Sequence, residues 1–264
     1  MDSKYMRPRP VADDPASSAP EPDHSRYMRP KPVAQESPTP LPGPEPAPID
    51  SGTAGASAQR EHDRRAGNRE ARVKDRFGPR VGGFLVKVVP EPQHIRAWEK
   101  GAVGERKLAA ALTGVAGVVV LHDRRVRGTV GNIDHIVIAP GGVFVVDAKH
   151  YKGLIEIRDK GGLFRRDYRL YVGRRDHSVL VDNMGWQVKA VERALVSAGH
   201  PIAAIPVLCF IDAEWPLLFA PSSFRSVKIT SPRKLRKLLC ATPFLDAADI
   251  DRLARVLAAG FPAK

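Results

Sequence analysis

Residues 133–149 run Ile133-Asp134-His135-Ile136-Val137-Ile138-Ala139, turn through Pro140-Gly141-Gly142, and continue Val143-Phe144-Val145-Val146-Asp147-Ala148-Lys149. Two apolar runs around a Pro-Gly-Gly turn read as a β-hairpin. A loop of two residues (140–141) or four (139–142) gives one register, with Ala139 facing Gly142 or Ile138 facing Val143. That register sets Asp134 directly across from Asp147 on one face of the sheet. Opposed residues of an antiparallel pair have Cβ atoms roughly 4.5–5.5 Å apart. Two carboxylates that close among Ile and Val raise one another's pKa and are costly unless a cation lies between them. A hard divalent ion with oxygen ligands removes that cost.

Lys149 follows Asp147 by two residues, so on an extended strand it projects from the same face. An ammonium there can orient or deprotonate a water, or stabilise charge in a phosphoryl transition state. Asp147-Ala148-Lys149 alone reads as an ordinary ion pair; Asp134 opposite it turns the reading towards a metal-dependent site. Glu105, on the preceding helix, can reach over the sheet as a third ligand, although its spacing alone is that of a surface helix residue. His135 points away from Asp134 and reads as structural. His150 and Tyr151 border the site as candidate contacts to a phosphate or base. Arg124, Arg125 and Arg127 precede the hairpin, and Arg165 and Arg166 belong to a basic stretch after it, an arrangement suited to phosphate contacts on both sides of a cleft. Tyr168 and Tyr171 lie among the later arginines and either stack on bases or pack at the rim.

The charge balance agrees with a polyanionic partner. The 264 residues carry a net +13, yet residues 1–58 hold six Lys/Arg against eight Asp/Glu, so the excess lies downstream. Nucleic acid is the commonest partner of such a surface, DNA before RNA here; solvated arginines with no partner are the alternative. Cys209 and Cys240 lack CxxC spacing and read as free thiols in a reducing compartment. With neither a secretory h-region nor an apolar run near the ~18 residues of a membrane span, the chain reads as cytoplasmic with no membrane partner.

Residues 1–58 read as a disordered Pro-rich tail, with 13 of the 24 prolines in the first 50 positions. The tail carries Tyr5-Met6-Arg7-Pro8-Arg9-Pro10-Val11-Ala12 and again Tyr27-Met28-Arg29-Pro30-Lys31-Pro32-Val33-Ala34. This is a doubled linear motif for a protein partner, or else a duplication in unconstrained sequence. Residues 59–80, with eight basic and four acidic groups, read as a basic linker or loose helix, since Gly67, Gly78 and Pro79 oppose a long packed helix. A folded domain is expected over 81–264, with its core at about 101–211. Helices are expected at 92–112, from Asp182 to about 198, and at 231–239 and 246–259, the last two making up the C-terminal helices of 231–260. Strands are expected at 118–121, 133–139, 143–149, 154–157, 170–172, 205–211 and 227–229. The fold class is α/β, a central mixed sheet with a β-meander flanked by helices.

These residues also carry a family resemblance. Gly101-x-x-Gly104-Glu105, Val120-Leu121-His122-Asp123, Gly131-Asn132-Ile133-Asp134-His135, Pro140-x-Gly142-Val143-Phe144-Val145-Val146-Asp147-x-Lys149 and Tyr151-x-Gly153 closely resemble the NERD (nuclease-related) domain, a branch of the PD-(D/E)xK nuclease superfamily. The resemblance implies a restriction-endonuclease-like fold, a Mg²⁺ (or Mn²⁺) site and phosphodiester hydrolysis of DNA, in DNA processing or repair. By position, Glu105, Asp134 and Asp147 would be the metal ligands and Lys149 the catalytic lysine. Asp147 stands where the superfamily often has Glu. Gln187 resembles a polar helix position seen in the family, here assigned to nucleic-acid contact. Junction-cutting relatives are dimers, which makes a homodimer an expectation too. The rival reading is a non-catalytic nucleic-acid-binding or scaffolding module on the same fold.

Overall fold

The computed structural model describes residues 47–162 and 164–264; the expected tail with both Tyr-Met-Arg-Pro copies lies outside them up to residue 46. At its centre is a six-stranded mixed sheet in the order β1-β2-β3-β7-β9-β8. Its antiparallel meander comprises β1 (Val119–Arg125), β2 (Asn132–Ala139) and β3 (Gly142–His150). The parallel half adds β7 (Ala204–Ile211) beside β3 and then β9 (Val227–Thr230), with the short β8 (Ser223–Phe224) antiparallel at the edge. The hairpin register is the expected one, Ala139 facing Gly142 and Ile138 facing Val143, with the two-residue loop Pro140–Gly141.

Alternation along the strands feeds two apolar layers, one on each face. On one face Val137, Ala139, Phe144 and Val146 meet Leu108 and Leu112 of α3 (Gln93–Leu112) and Leu235 and Leu239 of α5 (Pro232–Leu239). On the other, Ile136, Ile138, Val143 and Val145 meet Val191 and Leu195 of α4 (Ser178–Ser197) and Leu253 and Leu257 of α6 (Ala247–Gly260). Each fully buried Val, Leu or Ile contributes about 1.5–3 kcal/mol relative to exposure, so this two-sided burial fixes the strand register. The later strands β4 (Ile155–Asp159), β5 (Tyr168–Val172) and β6 (Arg175–Asp176) form a separate three-stranded sheet rather than lengthening the central one. α4 starts four residues before Asp182, with Asp176 accepting from the Ser178 N–H at its entry.

The N-terminal half of the described chain departs most from expectation. Residues 59–80, read as a linker, lie in α1 (Ala56–Phe77) and α2 (Pro79–Val88), and the compact unit starts at Ala47 rather than near 81. Gly67 costs a helix only about 1 kcal/mol. Against that stand ion pairs one turn apart, Glu61 with Arg64 and Arg65 and Glu70 with Lys74, and the packing of α1 on α2 and α3. Gly78-Pro79 separates the two helices instead of dissolving them. α3 runs unbroken through Gly101 and Gly104. A Cβ at Gly104 would lie 2.9 Å from the His150 Cβ, so this glycine lets α3 sit hard against the end of β3, one residue before Glu105. No helix among the described residues is long and apolar enough to cross a membrane.

Candidate functional site

Asp134 and Asp147 meet where the β2–β3 ladder ends. The last paired step is His135 with Val146, and one residue further the Asp134 Oδ2 accepts from the Ala148 N–H at 3.4 Å. Asp147 is buried and Asp134 half-buried. Burial raises the Asp147 pKa, the Lys149 ammonium lowers it and the Asp134 carboxylate raises it again, with a net rise to about 7. Lys149 forms an ion pair with Asp147 Oδ1. Burial alone would lower the Lys149 pKa, but Asp147 and Asp134 more than reverse this and hold it above the ordinary lysine value. The lysine is held as a cation beside the two aspartates.

Glu105 reaches the same centre from α3. It is 5 % exposed, and its Oε2 accepts from the Gly55 N–H at 3.0 Å. Burial first, then Asp134 and Asp123, push its pKa to about 9, with the Gly55 N–H and Lys149 pulling the other way. Three carboxyl groups thus share one ammonium, and two of them resist ionisation. A donor set of oxygens with uncompensated negative charge is what a hard divalent cation neutralises, so the residues fit such an ion. Their ligand atoms do not all lie within 4.8 Å of one another. Among the described residues, the one group of three His, Cys, Asp or Glu side chains with all ligand atoms within 4.8 Å is His62, Glu91 and Glu99, between α1 and the start of α3.

The remaining candidates separate clearly. Arg125, Arg127, Arg165 and Arg166 are exposed, with Arg166 paired to Asp159 at 2.7 Å. Arg124 is fully buried, donating to the carbonyls of Phe261 at 3.2 Å and of Asp50. It ties chain segments together, which corrects its assignment to phosphate contact. Gln187 is also buried, and its Oε1 has no hydrogen-bond partner among the described residues. His150 is held by the Lys100 carbonyl at 3.3 Å and Asp212 at 2.8 Å, against α3. Tyr151 is half-buried, stacked on His177 with ring centroids 4.6 Å apart. His135 is structural, as expected: fully buried, 2.8 Å from the His122 Nδ1, with burial and His122 lowering its pKa to about 3.

Sequence reasoning missed Asp123. It is 1 % exposed and accepts from the Ser57 N–H at 2.6 Å, the Ser57 hydroxyl at 2.7 Å and the Asn132 amide at 2.8 Å. The available signal was an acid directly after the apolar run 118–121, paired with the small-residue stretch Ser51-Gly52-Thr53-Ala54-Gly55-Ala56-Ser57, whose composition departs from the prolines before it.

The mixed α/β sheet carries two facing acids and a lysine where its central hairpin ends. Residues 100–211 match the family model described as NERD, nuclease-related domain. A nuclease-related domain points to divalent-metal use and to interaction with nucleic acid. Over 84 residues the chain is 38 % identical to an uncharacterised protein of Bacillus anthracis, covering 28 % of this chain and 39 % of that one. The chain therefore matches well under half the length of that relative. No solved structure gives a significant match.

Proposed function

We propose that the protein hydrolyses phosphodiester bonds of DNA with Mg²⁺ or Mn²⁺, Glu105, Asp134 and Asp147 being the residues that would hold the ion. The observation carrying this reading is the meeting of Asp134 and Asp147 beside Lys149, three charged groups where an apolar hairpin ends. A bound divalent ion supplies two things, a polarised phosphoryl oxygen and a water of lowered pKa. Lys149, ion-paired with Asp147, places positive charge where a transferring phosphoryl group develops negative charge. The exposed Arg125, Arg127, Arg165 and Arg166 supply phosphate contacts that position the strand without reading its sequence.

A second reading is favoured by a specific observation: Lys149 closes on Asp147, and the three carboxylates do not gather within 4.8 Å. On this reading the site keeps its shape and binds nucleic acid without cleaving it. One experiment separates the two. Labelled single-stranded, duplex and branched DNA, with RNA alongside, are incubated with wild type and Asp134→Ala in Mg²⁺, Mn²⁺ or EDTA. Cleavage that needs the ion and disappears in the variant is the expected result; salt-dependent binding without cleavage by wild type establishes the second reading.

A further inference from the structure

The chain from Ser51 to Ser57 lies upstream of the NERD match, yet it is fastened along its length to that domain. The Ser51 carbonyl accepts from the His122 N–H at 2.7 Å, and the buried Arg124 donates to the Asp50 carbonyl. Gly55 donates its N–H to Glu105 Oε2 at 3.0 Å. Ser57 donates twice to Asp123, and the Asn132 amide bridges Asp123 and the Ser57 hydroxyl at 2.8 and 3.2 Å. The Gly55 contact has a steric condition. Its φ is 75°, and a Cβ there would stand 2.7 Å from the Ala102 carbonyl oxygen. Only glycine seats against the turn of α3 that carries Glu105.

We propose that this strap positions Glu105: Gly55 holds the carboxylate through its N–H, and Asp123 with Ser57 holds Gly55. Residues 51–57 then complete a divalent-ion site of which the stretch 100–211 contains the ligands but not the support. The inference rests on the reading of Glu105 as a ligand. Its physical basis is general. A ligating carboxylate is itself hydrogen-bonded, and losing such an outer partner typically costs about 10- to 100-fold in metal affinity. Asp123 is buried like Glu105 and Asp147, but its lone pairs are taken by Ser57 and Asn132, so it serves the strap rather than the ion.

The test uses the full chain and Mn²⁺ alone as probe, with free ion followed by electron paramagnetic resonance and the fold by circular dichroism and thermal melting. Gly55→Ala should weaken Mn²⁺ binding about 10-fold or more. Ser57→Ala, which deletes one hydroxyl and leaves the backbone N–H in place, should weaken it a few-fold. If Gly55→Ala fails to fold, Ser57→Ala decides alone. A merely structural strap would lower the melting temperature of both variants and leave their Mn²⁺ affinity at the wild-type value, and that result overturns the proposal. Glu105→Gln serves as reference. Unchanged Mn²⁺ binding in Glu105→Gln removes Glu105 from the ligand set and the strap's role with it. Absence of Mn²⁺ binding in wild type overturns the metal-site reading itself, which distinguishes that failure from failure of the strap alone.

Discussion

Asp123 and Asp147 are both buried acids of one meander, on β1 and β3 to either side of β2, and they are treated in opposite ways. Asp123 accepts three hydrogen bonds within 2.8 Å and has Arg60 at 3.7 Å, so its charge is met by groups made for it. Asp147 has one ammonium, which it shares with Asp134, and its pKa rises to about 7. Burial is the same; the difference is satisfaction. A buried carboxylate with its lone pairs taken is part of the scaffold, whereas a group of carboxylates with too few partners is a place for a cation. Burying the second kind unpaired has a cost, and such a cost persists in a folded protein where the site has work to do.

The largest effect that can break this contrast is on cleavage. Asp134→Ala and Lys149→Ala should each lower metal-dependent DNA cleavage by about 100-fold or more, the scale of removing one charge-stabilising group from a phosphoryl or acyl transfer site. Circular dichroism should find both variants folded. Full cleavage by either one, from enzyme freed of contaminating nuclease, removes that residue from the reaction. Next in size is Asp123→Asn. The new amide keeps one oxygen, so its NH₂ faces either the Ser57 N–H or the Asn132 amide, leaving a buried donor unmatched at a cost of about 2 kcal/mol. At about 2–4 °C per kcal/mol for a domain of this size, the melting temperature should fall by roughly 4–8 °C, measured calorimetrically in EDTA. An unchanged melting temperature would place Asp123 with the cation-seeking acids.

The two sides of the contrast were unequally legible in the sequence. The hairpin was readable to the residue because strand periodicity and a two-residue turn leave one register, and that register forces Asp134 towards Asp147. Motif resemblance added Glu105, whose helical position alone looks like surface. The strap was invisible to the same reasoning. Ser51–Ser57 buries few apolar atoms, and what orders it is hydrogen bonding from Gly55 and Ser57 to acids 50 and 66 residues away. Pattern methods sense burial, not the partners of backbone N–H groups. α1 was missed for a related reason: its stripe is polar, its stability comes from ion pairs and from contact with α2 and α3, and Gly67 argued against it. Arg124 was misassigned because an arginine in a basic cluster reads as a phosphate ligand, while its burial depends on the carbonyls of Asp50 and Phe261 being brought to it.

Glu105 sharpens the contrast through pH. Its folded-state pKa is raised from the ordinary 4.5 to about 9, so between those values the folded metal-free protein holds a proton that the unfolded chain releases. Stability linked to this group is therefore fully present below about pH 4.5 and is lost progressively as pH rises towards 9. Glu105→Gln keeps an oxygen for the Gly55 N–H and cannot ionise. In EDTA at pH 8 it should be more stable than wild type by about 2 kcal/mol, a gain that shrinks towards pH 5. Melting curves across that range check the slope. A variant less stable than wild type at every pH would mean that Glu105 is satisfied as Asp123 is.

The smallest effects separate the arginines. Arg125 and Arg127 are exposed while Arg124 between strand and core is closed off, so the proposed function assigns two of these neighbours to phosphate contact and leaves the third as a structural tie. Arg125→Ala and Arg127→Ala should each weaken DNA binding a few-fold without preference for sequence, and each should reduce the slope of log affinity against log salt by about 1. Arg124→Ala should leave the salt slope unchanged and lower the melting temperature instead, because the carbonyls of Asp50 and Phe261 lose their donor. The measurement is fluorescence anisotropy on one duplex at several salt concentrations, in EDTA so that cleavage cannot intervene. A salt slope that falls only in Arg124→Ala would mean that the guanidinium leaves its pocket to meet DNA, and the division between scaffold charges and ligand-facing charges would not extend beyond the acids.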